Sequence, residues 1–391
     1  MRIAHVVSSY HPRLGGVETV VRQLAQGCAE AGDHVTVLTY QVDGSPTDEW
    51  IEAVRVHRFP LAVNSETYQL SPSLFRHLRC HAADFDLVHM HSYHTLVGHA
   101  AVGRGLPLVF TPYYHGTGHT PFRAILHRLY RPAGARLFRA ADAVICISDA
   151  ERDLVSKDFP GMARKVVTIP CGTDVELPQP DGDLSVPDEP VVLTVGRLER
   201  YKNVDLVIDA FRALPSPAIL IVVGAGPDRS RLERHAEASE SGWPVHFTGR
   251  ISDSLLDRWL AHAEVVTSAS DHEAFGITLA EGLASGARVV ASAIPAYAGL
   301  ARLAGADAPL ALIDPRDTRQ FTHALAEALR AGRVPAGDIK LPSWAEVVAE
   351  TRELYSRVHS QSNPANRMSH SDAPQPLILP HAALPAPRES A

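Results

Sequence analysis

The chain has 391 residues, of which 45% are hydrophobic and 21% are charged. This length exceeds what one hydrophobic core usually holds, so two domains are expected, and the composition is ordinary for a globular enzyme. The formal net charge of −7 argues against a general nucleic-acid-binding protein, which would be basic.

Short apolar runs alternate with amphipathic stretches along the first half of the chain. This alternation predicts parallel α/β layers, because strands buried on both faces read as continuous apolar runs. A helix is predicted over residues 19–31. Strands are predicted at residues 3–7, 35–38, 87–90, 108–110, 143–147 and 166–169.

A segment rich in Pro, Asp and Gly follows and is typical of a linker between domains. Beyond it the alternation resumes, with strands predicted at residues 191–195, 219–223, 245–247, 265–266 and 288–291. The C-terminal residues are rich in Pro, Ser and Ala without periodicity, which favours disorder. The predicted organisation is an α/β protein with an N-terminal Rossmann-like domain at 1–175, a linker at 176–190, a second Rossmann-like domain at 191–342, a crossover helix at 343–358 and a disordered tail at 359–391.

The four cysteines lie far apart and form no Cys-x-x-Cys pair, which is typical of reduced thiols in a reducing compartment. The apolar run at residues 3–7 is too short for the core of a signal peptide, and no segment reaches the length of a membrane span. The sequence therefore predicts a cytoplasmic protein.

The strongest local pattern is residues 271–281, which follow a predicted strand and run into a helix predicted to begin near Thr278. A helix N-terminus binds phosphate well, because its first amides lack partners and its dipole favours an anion. Glu273 precedes this terminus and Glu281 lies about one turn inside, so the two carboxylates flank an anion site. That arrangement suits the hydroxyl groups and diphosphate of a nucleotide sugar, and a capped helix with a solvated glutamate is the alternative.

The two glutamates, set around Phe275 and Gly276, resemble the signature of the retaining glycosyltransferases of family 4, which have the GT-B fold. The resemblance covers nearly the whole chain before the tail, and it implies two Rossmann-like domains facing across a cleft. Three further motifs arrive in the order that the family has: Gly15-Gly16-Val17-Glu18, Pro170-Cys171-Gly172-Thr173-Asp174 and Gly196-Arg197-Leu198-Glu199-Arg200-Tyr201-Lys202-Asn203.

The resemblance implies a role for each matching residue. Arg197 and Lys202 would bind the donor diphosphate, Glu273 the hydroxyls of the transferred sugar, and Glu281 the ribose. His115 would contact the donor sugar near the reacting carbon, which makes Glu273, His115, Arg197 and Lys202 the implied catalytic set. The remaining implied donor contacts are the glycine loop at Gly15 and Gly16, the amides of Phe275, Gly276 and Ile277, and the base pocket at Arg250 and Ile251.

The basic residues fit the same reading independently. Arg197 closes a predicted strand and Lys202 lies on the loop leading into the next helix, so both can point into the cleft. Only four of the 37 basic residues are lysines, and a retained lysine suggests a site that favours a compact point charge. A random surviving lysine is the alternative.

Metal binding is not expected, although two patterns invite it. Asp84-Phe85-Asp86 spells the DxD of metal-dependent transferases, but it fronts a predicted strand and better fits a loop boundary. His89 and His91 alternate along that strand without a second cluster at metal spacing. The site is therefore predicted to hold no metal, with the nucleotide sugar as co-substrate and no cofactor.

Five arginines between residues 123 and 139 have no acidic residue near them in sequence. A solvated face explains them equally well as an anionic acceptor or peripheral attachment to an acidic membrane surface, which here would be the inner face. The acceptor-side or membrane-side candidates are Tyr114, Arg123, Arg128 and Arg131.

The expected function is retaining transfer of a sugar from a UDP-sugar to a hydroxyl of a glycan, a lipid-linked, polyol or natural-product acceptor. The resemblance implies front-face transfer, in which the leaving diphosphate helps to deprotonate the acceptor. Ile294-Pro295-Ala296 replaces the Gly- and Glu-containing turn usual in the family, which leaves the donor sugar open. The alternatives are a GT-B nucleotide-sugar epimerase and a non-catalytic nucleotide-sugar-binding subunit. A Rossmann dehydrogenase would need the third glycine that Gly224-Ala225-Gly226 lacks.

Overall fold

The computed structural model describes residues 1–13, 15–41, 44–64, 69–116, 121–174, 187–238 and 243–362, with the backbone alone at 121–127. Each half of the chain forms its own mainly parallel sheet, which confirms the predicted α/β fold with two Rossmann-like domains. Most of the predicted linker, and the predicted disordered tail from residue 363 onward, lie outside the described residues.

The N-terminal sheet has eight strands in the order β10-β9-β8-β7-β1-β2-β4-β3. All neighbours are parallel except β3 and β4, which form an antiparallel edge. A separate pair, β5 and β6, is also antiparallel. The strand bounds are β1 Arg2–Val6, β2 His34–Tyr40, β3 Asp48–Ile51, β4 Val54–Phe59, β5 Val63–Asn64, β6 Gln69–Leu70, β7 Leu87–His91, β8 Leu108–Thr111, β9 Ala143–Cys146 and β10 Val166–Thr168.

The C-terminal sheet has six parallel strands in the order β13-β12-β11-β14-β15-β16, so the chain starts in the middle and reverses direction between β11 and β14. Such a reversal opens a crevice at the carboxyl ends of the strands, where ligands bind in doubly wound sheets. The strand bounds are β11 Val191–Val195, β12 Ile219–Val223, β13 Val245–Gly249, β14 Val265–Ser268, β15 Arg288–Ser292 and β16 Leu310–Ile313.

Helices connect the parallel strands and cover both faces of each sheet. Serine side chains cap several of them, as Ser148 caps α4 by accepting a hydrogen bond from the amide of Glu151 at 3.1 Å. The helix bounds are α1 Gly16–Glu30, α2 Pro72–Cys80, α3 Pro121–Ala140, α4 Asp149–Asp158, α5 Val204–Arg212, α6 Arg229–Glu237, α7 Asp253–His262, α8 Ile277–Ala284, α9 Pro295–Ala304, α10 Thr318–Ala331 and α11 Trp344–Ser362. None of the helices in the described ranges combines the length and apolarity that crossing a bilayer requires.

Helix α11 returns from the C-terminal domain and packs on the N-terminal one, as predicted for the crossover helix. It lies against α1 so closely that a Cβ on Gly27 would come 2.6 Å from Cγ2 of Val348. Its Arg352 forms an ion pair with Asp33 at 2.7 Å, and the hydroxyl of its Tyr355 lies 2.6 Å from Nδ1 of His89. These contacts attach the end of the chain to the first domain.

Five strands escaped the sequence prediction: the two-residue strands β5 and β6, and three strands of the two large sheets. The edge strand β3 leaves Trp50 68% exposed, so it lacks the buried apolar run that marks a central strand. Its neighbour β4 alternates buried and exposed residues because it lies near the edge. The short β16 closes the other sheet with only Ile313 buried. All three lie at or near sheet edges, where burial leaves the weakest pattern.

Candidate active site

The carboxyl ends of the two sheets face each other across the interdomain cleft. On the C-terminal side, β11 and β14 lead into the loops that carry the predicted donor residues. On the N-terminal side, β1 leads to the glycine loop, and β8 and β9 lead to the His115 loop and to α4. In a parallel sheet the loops that follow the carboxyl ends of the strands all lie on the same side, so residues distant in sequence meet there.

Helix α8 presents its N-terminus to this cleft, and its first residue is Ile277, one residue before the predicted start. Gly276 caps it with a φ of +103°, a left-handed conformation that favours glycine. A Cβ at this position would also lie 2.7 Å from Cε1 of Tyr297. Glycine is therefore required twice here, and it lets the backbone turn sharply so that the amides of the first helical turn point toward the cleft.

Lys202 and Glu273 form an ion pair beside this helix terminus, with side chains only 18% and 21% exposed. Ser270 adds a hydrogen bond, donating to Oε1 of Glu273 at 3.2 Å. Burial works against the charge of the Lys202 ammonium, but the neighbouring Glu273 carboxylate outweighs burial and raises its pKa. The two residues expected to bind diphosphate and sugar thus bind each other.

Arg197 lies on the same wall, where it lines a small cavity of about 10 Å³ together with Lys202 and Ser270. Its side chain is 68% exposed and pairs with Glu199. Both cations are therefore paired with a carboxylate, Arg197 at the exposed mouth of the cavity and Lys202 deeper inside. The structure brings the two predicted diphosphate cations to one cavity.

Glu281 lies one turn into α8, as predicted. Burial, together with the negative charges of Asp257 and Asp253 on α7, raises its pKa to about 7. A carboxyl in this state accepts hydrogen bonds from hydroxyl groups well only when it is ionised. Its hydrogen-bonding capacity therefore changes near neutral pH.

The glycine loop reaches the same place from the N-terminal domain. Gly15 caps α1 with extended backbone, φ 179°, a conformation open to any residue. A Cβ on Gly16 would lie 3.9 Å from Cδ1 of Ile277, so this glycine faces the N-terminus of α8 directly. The loop thus stands opposite the N-terminus of α8, and Gly16 approaches it closely.

His115 and Glu273 line one interdomain cavity of about 140 Å³. The two residues come from opposite domains, which is the arrangement expected of groups that act on the same sugar. Tyr114 lines the cavity too, but its side chain is 1% exposed and its hydroxyl donates to Oδ2 of Asp158 at 2.7 Å. Its buried ring faces the domain interior more than a substrate.

The remaining predicted positions lie further out. Arg250 and Ile251 follow β13 at the edge of the C-terminal sheet, and neither lines the two cavities described above. Arg128 is exposed on α3, and the side chain of Arg123 lies outside the described residues. Arg131 does have a carboxylate partner, because Asp158 of α4 lies 3.3 Å away.

Asp84 and Asp86, the acidic pair that resembles a metal motif, lie at the opposite end of the strands from the cleft. Asp86 precedes β7 and accepts hydrogen bonds from the backbone and guanidinium of Arg2, at 2.8 and 2.6 Å. Asp84 lies 3.0 Å from Nδ1 of His81. These carboxylates stand at the amino ends of the strands, away from the cleft.

The structure also joins His89 and His91 to His5 on the neighbouring strand, a proximity that the sequence analysis missed. Ring nitrogens of these three buried residues lie within 4.8 Å of one another. Most of those nitrogens already have partners, since His5 lies 3.0 Å from His91 and His89 contacts Tyr355 and Thr111. Burial lowers the pKa of all three rings, so they form a neutral hydrogen-bonded cluster in the sheet.

The cavity-lining residues that were not singled out from the sequence include three polar ones: Ser148, Glu151 and His272. Ser148 and Glu151 read as an ordinary helix start, because Ser-x-x-Glu is the capping-box pattern. Their position at the carboxyl end of β9 was the signal that pointed to the cleft. His272 lies inside the 271–281 pattern but resembled a spacer.

Two family models match consecutive parts of the chain. Residues 14–177 match the model described as Glycosyltransferase Family 4. Residues 179–336 match the model described as Glycosyl transferases group 1. The boundary between the two matches falls within the predicted linker.

Curated relatives align with most of the chain. It is 30% identical over 312 residues to the D-rhamnosyltransferase WbpZ of Pseudomonas aeruginosa, which covers 75% of this chain and 78% of that protein. It is 28% identical over 313 residues to a GDP-mannose-dependent alpha-(1-6)-phosphatidylinositol dimannoside mannosyltransferase of Mycobacterium tuberculosis, covering 75% and 79%.

Solved structures share the fold at lower identity. The sucrose-phosphate synthase of Thermosynechococcus elongatus superposes with a TM-score of 0.74 at 24% identity, covering 92% of this chain and 99% of that one. Anabaena HepE in complex with UDP and glucose gives a TM-score of 0.67 at 19% identity, covering 91% and 100%.

Proposed function

The chain belongs to glycosyltransferase family 4, has the GT-B fold and transfers a sugar from a nucleotide-sugar donor, and from that premise we propose that transfer retains the anomeric configuration and needs no metal ion. The observation that carries the proposal is the meeting of Lys202, Glu273 and the N-terminus of α8 with Gly16 and His115 at one interdomain cleft.

In the proposed step the bond between the anomeric carbon and the diphosphate oxygen breaks. The acceptor oxygen forms its new bond on the same face, and its proton passes to the departing diphosphate. Arg197, Lys202 and the α8 amides stabilise the charge that develops on the leaving group. Glu273 and His115 hold the sugar while positive charge develops at its anomeric carbon, so no side-chain base is required.

Metal independence has its support in the position of the charges. Two cations and a helix terminus stand where a diphosphate would bind, and they supply the positive charge that Mg²⁺ supplies elsewhere. Asp84 and Asp86 lie at the amino ends of the strands, away from the cleft, where they contact His81 and Arg2 respectively. Transfer is therefore expected to continue in excess EDTA. Complete loss of activity that Mg²⁺ restores would contradict this.

The donor base is the open part of the proposal. A UDP-sugar is the expectation from the sequence, and HepE has been solved with UDP and glucose. The mannosyltransferase relative is named for GDP-mannose instead. The acceptor is proposed to be a hydroxyl of a glycan, lipid-linked or small polyol substrate.

The deciding experiment is a panel of UDP- and GDP-sugars, each incubated with the full chain while release of free nucleoside diphosphate is followed. Slow release of diphosphate from one donor identifies that donor. The coupling between the anomeric carbon of the product and its proton, measured by NMR, reports the anomeric configuration. Epimerised nucleotide sugar without released diphosphate would favour the epimerase alternative. Binding without turnover of any donor would favour a non-catalytic subunit.

A further inference from the structure

Glu151 is a buried carboxyl on the cleft wall to which no role has yet been given. It lies in the first turn of α4, is 3% exposed, and lines the cavity that His115 and Glu273 share. Among the described residues no ion pair involves it. Burying a carboxyl without a cationic partner costs free energy of folding. The burial of Glu151 therefore indicates a role that an apolar residue could not fill.

The hydrogen bonds of Glu151 depart from the usual helix cap. In a capping box the glutamate reaches back to the backbone amide of the capping residue, here Ser148. Instead, Oε2 accepts from the amide of Ile147 at 2.7 Å. Oε1 accepts from the amide of Tyr114 at 2.5 Å, which belongs to a loop 37 residues earlier. The carboxylate therefore ties the start of α4 to the segment that carries His115.

That segment needs holding, because Tyr113 has a φ of +49° without being glycine. Such backbone persists only where its surroundings fix it. The Tyr113 hydroxyl lies 3.2 Å from Nδ1 of His91 on one side, and Glu151 holds the next amide on the other. The His115 ring follows directly from this constrained turn.

The same helix end touches the opposite domain. The Ser148 hydroxyl donates to the carbonyl of Ala274 at 3.1 Å, and Ala274 follows Glu273 in sequence. One turn of α4 therefore contacts the chain beside both groups that the proposed function places on the donor sugar.

We propose that Glu151 is a positioning residue for sugar transfer, whose carboxylate fixes the Tyr113–Tyr114 turn and thereby the place of the His115 ring. This rests on the proposed function, in which His115 contacts the donor sugar. The residue acts through the loop and touches neither donor nor acceptor.

The test is Glu151→Gln in the full chain. The amide keeps the shape but sets an N–H₂ group against one of the two backbone N–H donors. Assays run at about pH 8.5, because burial raises the pKa of Glu151 to about 8 and the carboxyl is then mostly ionised. We expect kcat for release of nucleoside diphosphate to fall about tenfold or more, since small displacements of positioned groups cost large factors in rate. The Kd of the nucleoside diphosphate should stay within about twofold, because its cations lie in the other domain.

Two controls separate positioning from general stability. Asp153→Asn makes the same chemical change on the exposed face of α4 and should leave kcat unchanged. In the double variant of Glu151→Gln with His115→Ala, kcat should fall no further than in His115→Ala alone. Losses that multiply would overturn the proposal, as would a folded Glu151→Gln variant with the kcat of the wild type.

NMR of the chain labelled at histidine supplies a readout independent of activity. The His115 resonance, assigned by its loss in His115→Ala, should shift in Glu151→Gln and stay in place in Asp153→Asn. An unmoved resonance overturns the proposal even if no donor is ever turned over, whereas absence of turnover alone would sink the proposed function. If Glu151→Gln does not fold, Glu151→Asp, shorter by one methylene, is measured in its place with the same expected shift.

Discussion

Lys202, Glu273 and Asp271 on the C-terminal wall of the cleft stand in ion pairs, whereas Glu151 on the N-terminal wall is buried and accepts hydrogen bonds from two backbone amides. Lys202 binds Glu273, and Asp271 binds Arg316 at 2.6 Å. Across the cleft, burial raises the pKa of Glu151 to about 8. A donor diphosphate bound as proposed would therefore compete with an ion pair on one wall, while the other wall offers shape and hydrogen bonds. Substitutions on the first wall should change binding and turnover separately, and those on the second mainly turnover.

The largest expected effect is on turnover in Glu273→Ala. We expect kcat to fall about 10²–10³-fold, because the lost contacts matter most while the sugar becomes cationic. The Kd of the nucleoside diphosphate should fall rather than rise, since removing Glu273 frees Lys202 from its ion pair and leaves it available to phosphate. Steady-state kinetics and calorimetry measure the two effects, with Glu327→Ala on the exposed face of α10 as the matched control. Wild-type turnover in the Glu273 variant would remove this residue from the site.

Lys202→Met should weaken nucleoside diphosphate binding about 10–100-fold, the worth of a charge-assisted hydrogen bond. Lys340→Met, an exposed lysine of the same domain, should bind as the wild type does. The pair adds a sharper test, because Lys202 is shared between Glu273 and phosphate. In a double-mutant cycle on Kd the two substitutions should be non-additive. Additive effects would mean that the pair does not compete with the ligand.

Donor binding should depend on pH through Glu281, whose pKa is raised to about 7. Above that pH the carboxylate accepts hydrogen bonds from the ribose, and below it the proton blocks one oxygen, so the donor KM should fall as pH rises from about 6 to 8. The intact nucleotide sugar is the probe, because a terminal phosphate titrates near pH 6 and would obscure the change. Glu281→Gln should give a weaker and flat profile. A pH-dependent KM that persists in this variant would assign the titration to another group.

The raised pKa of Glu281 also predicts how stability depends on pH, in the direction opposite to donor binding. A carboxyl whose pKa is higher in the folded state stabilises the fold at low pH, and this contribution is lost as pH rises through the folded pKa of about 7. Glu281→Gln removes that penalty. Its Tm should therefore rise relative to the wild type above neutral pH, which would show that donor binding is gained at a cost in stability. An equal Tm difference at every pH would contradict the raised pKa.

The fold was largely predictable from the sequence because its central strands are buried on both faces. The strand at 219–223 is buried throughout, and its apolar run shows this directly. The edge strands β3 and β16 meet solvent or polar surroundings, and their residues carry no comparable pattern. The N-terminus of α8 was also predicted to within one residue, because the pattern at 271–281 follows a buried strand and runs directly into a helix.

The pairings between side chains distant in sequence were beyond prediction from local pattern. Lys202 and Glu273 are separated by 71 residues, and each was expected to bind donor rather than the other. Glu151 reads in sequence as a capping residue, and only the approach of Tyr114 from another strand gives it a second partner. The arginines on α3 lacked a nearby carboxylate in sequence, whereas folding brings Asp158 to Arg131. Tertiary contact decides these cases, and no spacing rule reports it.

The smallest expected effect concerns those arginines, and the structure divides them. Arg131 pairs with Asp158 at 46% exposure and lies over the ring of Phe159, 5.7 Å from its centroid, so it is partly committed within the domain. Arg128 is exposed and better placed to meet an anion. We expect Arg128→Gln combined with Arg123→Gln to raise the acceptor KM, or to weaken sedimentation with vesicles containing anionic lipid, by a few-fold. Arg131→Gln should change binding less and cost about 0–1 kcal/mol of stability.

The control is Arg136→Gln. This exposed arginine lies further along the same helix, so the substitution removes one charge but leaves the first half of the helix unchanged. Vesicles of neutral lipid test whether association follows charge, and added salt should weaken it if it does. Donor KM should stay at the wild-type value in every variant, because the donor cations lie on the opposite wall. If Arg136→Gln weakens vesicle binding as much as the Arg123 and Arg128 variant does, the overall positive charge of the helix attracts the vesicles rather than these two positions. Unchanged acceptor kinetics, together with no vesicle binding by the wild type, would show that this face is only solvated, and the N-terminal wall would then contribute no charge to recognition.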